Sequence, residues 1–334
     1  EGSTQDDPFN TSGAKTCPKL GLKIAFDEYD PALRFFGVKK LLFHAMNADD
    51  SLMRERLGYG LYRAMGAPAP RAVHARLVIN GALAGLYLNV EYIDGRFVDS
   101  RFSDGDGNLY KEVWPTASPF QPAVTAERLL AGLRTNEDQG PSVQKMLDFG
   151  AAVTTDDGDA QAAALAAWLG VDATMRTIAV DRTIRADDGL FHFYCGDDGV
   201  CENHNFYVYE EALARRVWLI PWDLDNAFIV LDDQATGADR FLYVQDAWDD
   251  PTVRCEPRSD MLGFFQQLPP ACDPLIGALG CAYHDRYEVA VGELLDGPMG
   301  PQAVSAALDA WTAQIAGAVA EAHAADARQL SPDA

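Results

Sequence analysis

The chain has 334 residues, with 50 Asp plus Glu against 27 Lys plus Arg, a formal charge of −23. That excess disfavours nucleic acid and anionic lipid as partners and favours a basic protein or a divalent cation. A hydrophobic share of 48% suffices for a core and excludes wholesale disorder. No apolar run reaches the roughly 18 residues of a membrane span.

Residues 1–16 are polar and aperiodic, and they read as a flexible leader behind a processed or trimmed start. Residues 21–27 and 38–44 predict two strands. Asp49-Asp50-Ser51 offers an N-cap and an acidic first turn for a helix. Its stripe is Leu52, Leu57, Leu61 and Met65, and Gly66 with Pro68 stops it. Residues 73–79 and 83–93 alternate on either side of Asn80-Gly81, the signal of a two-residue hairpin turn. Residues 108–113 make one more short strand.

The second half is mostly helical, over 126–134, 142–149, 160–169 and 172–184, with an acidic loop at 154–159. Residues 206–209 and 217–220 are short β runs. A long final helix, 302–324, carries Val304, Leu308, Trp311, Ile315 and Val319 on one face. The result is an α+β chain read as one domain over 17–334. A β-rich N-terminal lobe (17–115) precedes a mostly helical C-terminal lobe (116–334), the outline of an atypical protein-kinase-like two-lobed fold.

Six cysteines (Cys17, Cys195, Cys201, Cys255, Cys272, Cys281) with no CxxC pair fit disulfides in an exported protein. The seven lysines all lie between Lys15 and Lys145, so a lysine that contacts phosphate must come from the first half. GxSxG, HExxH, GxxxxGK[ST] and GxGxxG are all missing, which removes the main support for serine hydrolase, zincin, P-loop and Rossmann readings.

Polar residues crowd instead between Asp187 and Asp225. A helix ends in Arg185-Ala186-Asp187-Asp188-Gly189, Asn203-His204-Asn205 precedes a strand, and Pro221-Trp222-Asp223-Leu224-Asp225 leaves one. Phosphoryl transfer needs such a set: an Asp to orient the attacking hydroxyl, and an Asn and an Asp to hold magnesium. Asp and Asn are also common loop and capping residues, and spacing alone favours that plainer role.

Five separated blocks carry a resemblance. They are Leu41 with Asp50-Ser51-Leu52-Met53-Arg54-Glu55, then Gly66-Ala67-Pro68-Ala69-Pro70-Arg71, then the hairpin from Ile79-Asn80-Gly81 through Gly85-Leu86-Tyr87 to Glu91-Tyr92-Ile93-Asp94. Asn108-Leu109-Tyr110-Lys111 follows, and last come His204-Asn205-Phe206-Tyr207-Val208-Tyr209 with Pro221-Trp222-Asp223-Leu224-Asp225. Over about residues 20–230 the chain resembles the spore-coat protein CotH family of atypical secreted protein kinases. The resemblance implies a diverged kinase fold and metal-dependent transfer of the ATP γ-phosphate, with Mg2+ or Mn2+, to Ser or Thr of a partner protein. Residue by residue, it implies Asp188 as the catalytic aspartate, with Asp187 competing, and Asn205 as the loop asparagine. Asp223 is the first metal aspartate and Asp225 the second. Lys111 is the lysine best placed for the phosphates, and Glu91 matches the acid of the second hairpin strand. For a Lys–Glu pair the sequence offers Lys39 or Lys40 with Glu55. Flanking Arg54 and Arg56 could also satisfy that acid.

The chain departs from the family pattern at residues 190–203, which are longer than expected and put the choice of catalytic Asp in doubt. This insertion contains His192, Cys195 and Cys201 ahead of His204. The set could bind zinc, but a Cys195–Cys201 disulfide is the favoured reading. Asp104-x-Asp106-x-Asn108 and Asp156, Asp157 and Asp159 have some calcium-loop character. They lack the EF-hand pattern and read as solvated loops. The expected protein is a secreted or cell-surface monomer, with a lipid tether at its N-terminus as one option. Its expected substrate is a basic Ser/Thr-rich protein. The alternatives are a surface or coat adhesin or scaffold that keeps the fold without catalysis, and ATP-dependent transfer of AMP or an amino acid.

Overall fold

The computed structural model describes residues 19–47, 49–155, 157–228, 232, 233, 238, 239, 247–259 and 266–330. The expected leader, Cys17 and Asp156 of the acidic loop lie outside these residues. In chain order the first elements are β1 (Leu22–Ala25), β2 (Lys40–His44), α1 (Arg54–Ala64), β3 (Ala72–Ile79), β4 (Ala82–Val90), α2 (Gly95–Arg101) and β5 (Asn108–Lys111). Four helices follow: α3 (Ala126–Gly132), α4 (Gln144–Val153), α5 (Gly158–Trp168) and α6 (Val171–Thr183). Then come β6 (Phe193–Cys195), β7 (Cys201–Glu202), β8 (Phe206–Glu210), β9 (Val217–Pro221), β10 (Asp232–Asp233) and β11 (Ala238–Asp239). The chain closes with β12 (Arg258–Ser259), β13 (Gln266–Leu268), α7 (Pro274–Asp296) and α8 (Pro301–Ala325). Every strand pair among them is antiparallel, so the chain is α+β.

Two compact units form. The first comprises Glu1–Gly60, Pro70–Ile93 and Gly297–Ala334, and the second Leu61–Ala69 and Asp94–Asp296. The expected lobes, 17–115 and 116–334, divide the chain in sequence order, whereas these units interleave, and the last helix belongs with the first sheet.

The first unit is a four-stranded sheet in the order β1-β2-β4-β3. Asn80 and Gly81 are both left-handed (φ 52° and 82°), as a type I′ turn requires, and they close the β3–β4 hairpin. Helix α8 packs along β4 and buries Ile315, Val319 and Ala322. Arg76 on β3 pairs with Glu321 on α8, and the Arg56 guanidinium lies 4.4 Å from the centre of the Trp311 ring. The expected helix from Asp49-Asp50-Ser51 begins only at Arg54. Leu52 is left-handed (φ 59°) and cannot be helical. The Asp49 carboxylate reaches forward instead, accepting from the Ser51 N–H (3.0 Å), the Ser51 hydroxyl (2.5 Å) and the Arg54 N–H (2.9 Å).

The second unit holds a three-stranded sheet, β5-β8-β9, and a four-stranded sheet, β12-β13-β6-β7. Its core gathers Trp114, Phe149, Trp168, Phe191, Phe206, Leu275 and Leu279, and α6 packs against α7. Helix α7 is not among the expected elements, and it contains Gly277, Gly280 and Gly292. The first two serve close approach. A Cβ on Gly277 would sit 2.4 Å from the Ala271 carbonyl oxygen, and one on Gly280 would sit 2.7 Å from the Asp249 Cα.

Asp273, fully buried, ties this unit together. One carboxylate oxygen accepts from the Leu275 and Ile276 N–H groups (3.0 and 2.9 Å) and so caps α7. The other accepts from Trp114 Nε1 (2.8 Å), Thr116 Oγ1 (2.6 Å) and Gln121 Nε2 (3.0 Å). Burial pushes the carboxyl above its usual range, and the bonds from Thr116, Ile276, Gln121 and Trp114 pull it back. Asp273→Asn presents an NH2 to one set of donors, so urea unfolding should show a loss of about 2–4 kcal/mol. A wild-type midpoint would show that these bonds are dispensable.

The 190–203 insertion forms the β6–β7 hairpin, and β6 pairs with β13. Cys195 and Cys201 are direct cross-strand partners joined by a disulfide, and Cys255 is bonded to Cys272. The zinc reading is thereby corrected, since both cysteines are consumed and His192 is turned elsewhere. Cys281 is exposed and unbridged. Proteolytic mapping without reductant should recover both linked peptide pairs with Cys281 alkylated. Stoichiometric zinc in the purified protein would contradict that pairing.

Candidate functional site

Three chain segments meet in the second unit: the turn after α6, the start of β8, and the segment leaving β9. Backbone bonds stitch them together. The Phe228 N–H donates to the Ile184 carbonyl (2.6 Å), the Asp187 N–H to the Asn226 carbonyl (3.3 Å), and the Trp222 N–H to the Asn205 carbonyl (3.0 Å). The β8–β9 register, Phe206 opposite Pro221, sets Asn205 beside the Trp222-Asp223 segment.

Asp188, Asn205 and Asp223 all have left-handed backbone, at φ 62°, 55° and 48°. Asp and Asn tolerate this region better than other side chains, and such residues collect at functional sites. The Asn205 amide nitrogen donates to the Asp188 carbonyl (3.0 Å) and to its carboxylate (3.1 Å). The Asp188 carboxyl is pushed up to about 7, first by burial and then by the charges of Asp187, Asp223 and Asp225, with the Asn205 bond opposing. The structure therefore brings Asp187, Asp188, Asn205, Asp223 and Asp225 together.

Lys111 ends β5 opposite Tyr207 of β8. Its Nζ is 3.8 Å from a Glu112 oxygen, and the other Glu112 oxygen accepts the Asn205 N–H at 3.3 Å. Sequence reasoning missed Glu112, a left-handed residue (φ 53°) that joins the lysine to the asparagine. It placed His192 only in a possible zinc set, not beside Asp187. This fully buried ring has Nδ1 2.6 Å from an Asp187 oxygen and 3.0 Å from the Asp188 amide nitrogen. Burial holds its pKa below the ordinary value, against the Asp187 bond. The signal available for His192 was its position four residues after Asp188, which the zinc pattern drew away. Asp181 was missed as well. Buried and bonded to the Tyr62 hydroxyl (3.2 Å), it lies beneath the same turn, where the Ala186 N–H donates to its carbonyl (3.1 Å). Burial raises its carboxyl to about 6.

Lys39, Glu55 and Glu91 belong to the first unit. The expected Lys–Glu pair is corrected there. Buried Glu55 meets His44 Nδ1 (2.9 Å), Lys40 Nζ lies 4.9 Å from the centre of the Tyr92 ring, and Lys39 is exposed. A histidine on β2 reaches the buried acid of α1, and the neighbouring lysines keep their charges near solvent. Arg54 turns to Asp49 and Arg56 to His74 and Gln314. Glu91 takes a two-pronged Arg71 bond (2.6 and 3.2 Å). Of the loop Asp104, Asp106 and Asn108, Asp106 is exposed as expected, whereas the other two are bonded to neighbouring segments. Asp104 accepts from Tyr209 and Leu213, and buried Asn108 donates to Tyr110 and Glu210.

Fold and site together define an α+β protein with hard oxygen donors gathered at the end of one helix, the start of one strand and the end of another, a set suited to a divalent cation. The chain belongs to the CotH family, described as CotH kinase protein, whose model matches residues 10–328. It is also similar to the inner spore coat protein H-like protein of Bacillus subtilis (strain 168), 44% identical over 55 residues. That match covers 16% of this chain and 18% of the relative's length.

Proposed function

We propose that the chain is a metal-dependent atypical protein kinase with a two-lobed kinase-like fold, exported to a spore coat or cell surface. It would transfer the ATP γ-phosphate to Ser or Thr of a basic protein. The observation that carries this reading is the joining of Asn205 to Asp188, whose carboxyl is raised to about 7 first by burial and then by the charges of Asp187, Asp223 and Asp225. The family description and the relative's name support it. Among the described residues no helix is long and apolar enough to cross a membrane, and two disulfides fit an oxidising compartment.

In this reading the acceptor oxygen attacks the γ-phosphorus and the bond to the bridging oxygen breaks. ADP leaves, and the acceptor's proton passes to Asp188 late in the step. The donor set fits magnesium or manganese, because its oxygens are hard and its crowded carboxylates gain from a divalent charge. Asn205, Asp223 and Asp225 would hold the ion, which neutralises phosphate charge when bound. Lys111, oriented by Glu112, would contact the phosphates. A formal charge of −23 steers basic substrates toward the surface.

The test uses ATP labelled at the γ or the α position, with Mg2+ or Mn2+ and a basic Ser-rich protein. Label transferred from γ only is expected. Label from α would mean nucleotidyl transfer, and no label under any metal would leave a scaffold that keeps the fold.

A further inference from the structure

We propose that His192, supplied by the chain's own 190–203 insertion, is a positioning residue that fixes the Asp187-Asp188 turn through Nδ1. This rests on the phosphoryl-transfer reading above. The turn needs an outside hold, because Arg185 and Asp188 are both left-handed non-glycine residues (φ 51° and 62°). Most of its backbone donors go to backbone. The Ala186 N–H bonds to the Asp181 carbonyl (3.1 Å), and the Asp187 N–H to the Arg185 and Asn226 carbonyls (2.8 and 3.3 Å). The Asp188 amide nitrogen instead lies 3.0 Å from His192 Nδ1, which is 2.6 Å from the Asp187 carboxylate. Nδ1 carries either a hydrogen or a lone pair, so it serves one of the two adjacent aspartates at a time, and the shorter contact assigns its hydrogen to the Asp187 carboxylate. The geometry gives them different work, with Asp187 held by the ring and Asp188 turned to Asn205.

The ring is itself immobile. It is 0% exposed and stacked on Tyr194, with centroids 3.6 Å apart and planes 22° from parallel. Phe191 and Phe193 on either side are buried in the core, and the His192 N–H returns to the Gly189 carbonyl (3.1 Å). Tyr194 sits in β6 between Gln267 of β13 and Glu202 of β7, in a hairpin closed by Cys195–Cys201. A four-stranded sheet and a disulfide therefore stand behind a single hydrogen-bonding nitrogen. Holding a reacting group to within an ångström is worth about two orders of magnitude in rate, and this brace would supply that order before the acceptor arrives.

The test compares His192→Phe with His192→Asn. Phenylalanine keeps the stack on Tyr194 and removes the nitrogen, whereas asparagine returns a polar atom near Nδ1. His192→Phe should lower kcat about 100-fold with KM for ATP within about twofold. Amide exchange over residues 186–190 should rise at least about tenfold, with exchange in α7 unchanged. His192→Asn should recover most of both. Wild-type kcat and exchange in the phenylalanine variant would overturn the proposal, and so would an asparagine variant no better than phenylalanine. Exchange that rises across the whole second unit would reduce His192 to a packing residue. A wild type that transfers no label sinks the kinase reading alone, and local exchange still decides whether His192 holds the turn.

Discussion

Asp188→Asn should abolish phosphoryl transfer, by about 10³-fold or more, in a protein that remains folded. The substitution is nearly isosteric, and asparagine accepts the left-handed backbone at this position (φ 62°). Its carbonyl oxygen can still accept from Asn205, so the local bond survives. It loses the carboxylate that orients the acceptor hydroxyl and takes its proton. Stability should move in the opposite direction. With the Asp188 carboxyl raised to about 7 in the folded chain, the folded state keeps a proton that the unfolded state releases near 4. The unfolded state therefore binds fewer protons between those values, and the metal-free wild type loses stability as pH rises through that window. Asp188→Asn removes this loss, so its melting temperature at pH 8 without metal should equal or exceed that of wild type. Undiminished turnover would refute the assignment. A dead Asp187→Asn beside an active Asp188→Asn would move the base by one residue.

Asp223→Asn should weaken metal-dependent ATP binding by about 10- to 100-fold, measured by calorimetry with and without Mg2+. Asparagine is the informative substitution because Asp223 is left-handed (φ 48°), a region it tolerates. Alanine there adds a backbone cost of about 1 kcal/mol that confuses lost ligation with lost fold. Asp225 is not among the left-handed residues, so Asp225→Ala is a fair comparison and should weaken binding less. Normal Mg-ATP binding by Asp223→Asn would reverse the ranking of the two aspartates.

The amino-acid sequence alone determined what is written within a few neighbouring residues. Asn80-Gly81 imposed a type I′ turn because both positions need left-handed backbone, and the alternating runs beside it had no other face to bury. The stripe of the last helix did the same at helical spacing, and the order of acids after α6 and β9 marked the candidate site. Only the tertiary structure decided who meets whom. Asn205 reaches Asp188 across 17 positions and Glu112 across 93, and Glu55 passed over the nearby lysines for His44. The last helix left its neighbours to cover the first sheet, and Gly277 and Gly280 became points of close packing inside α7. Local signals arise from backbone sterics and side-chain periodicity, which act over one or two turns of chain. Partner choice depends on which polar groups are buried together and must satisfy one another away from water, and that is fixed only when distant segments pack.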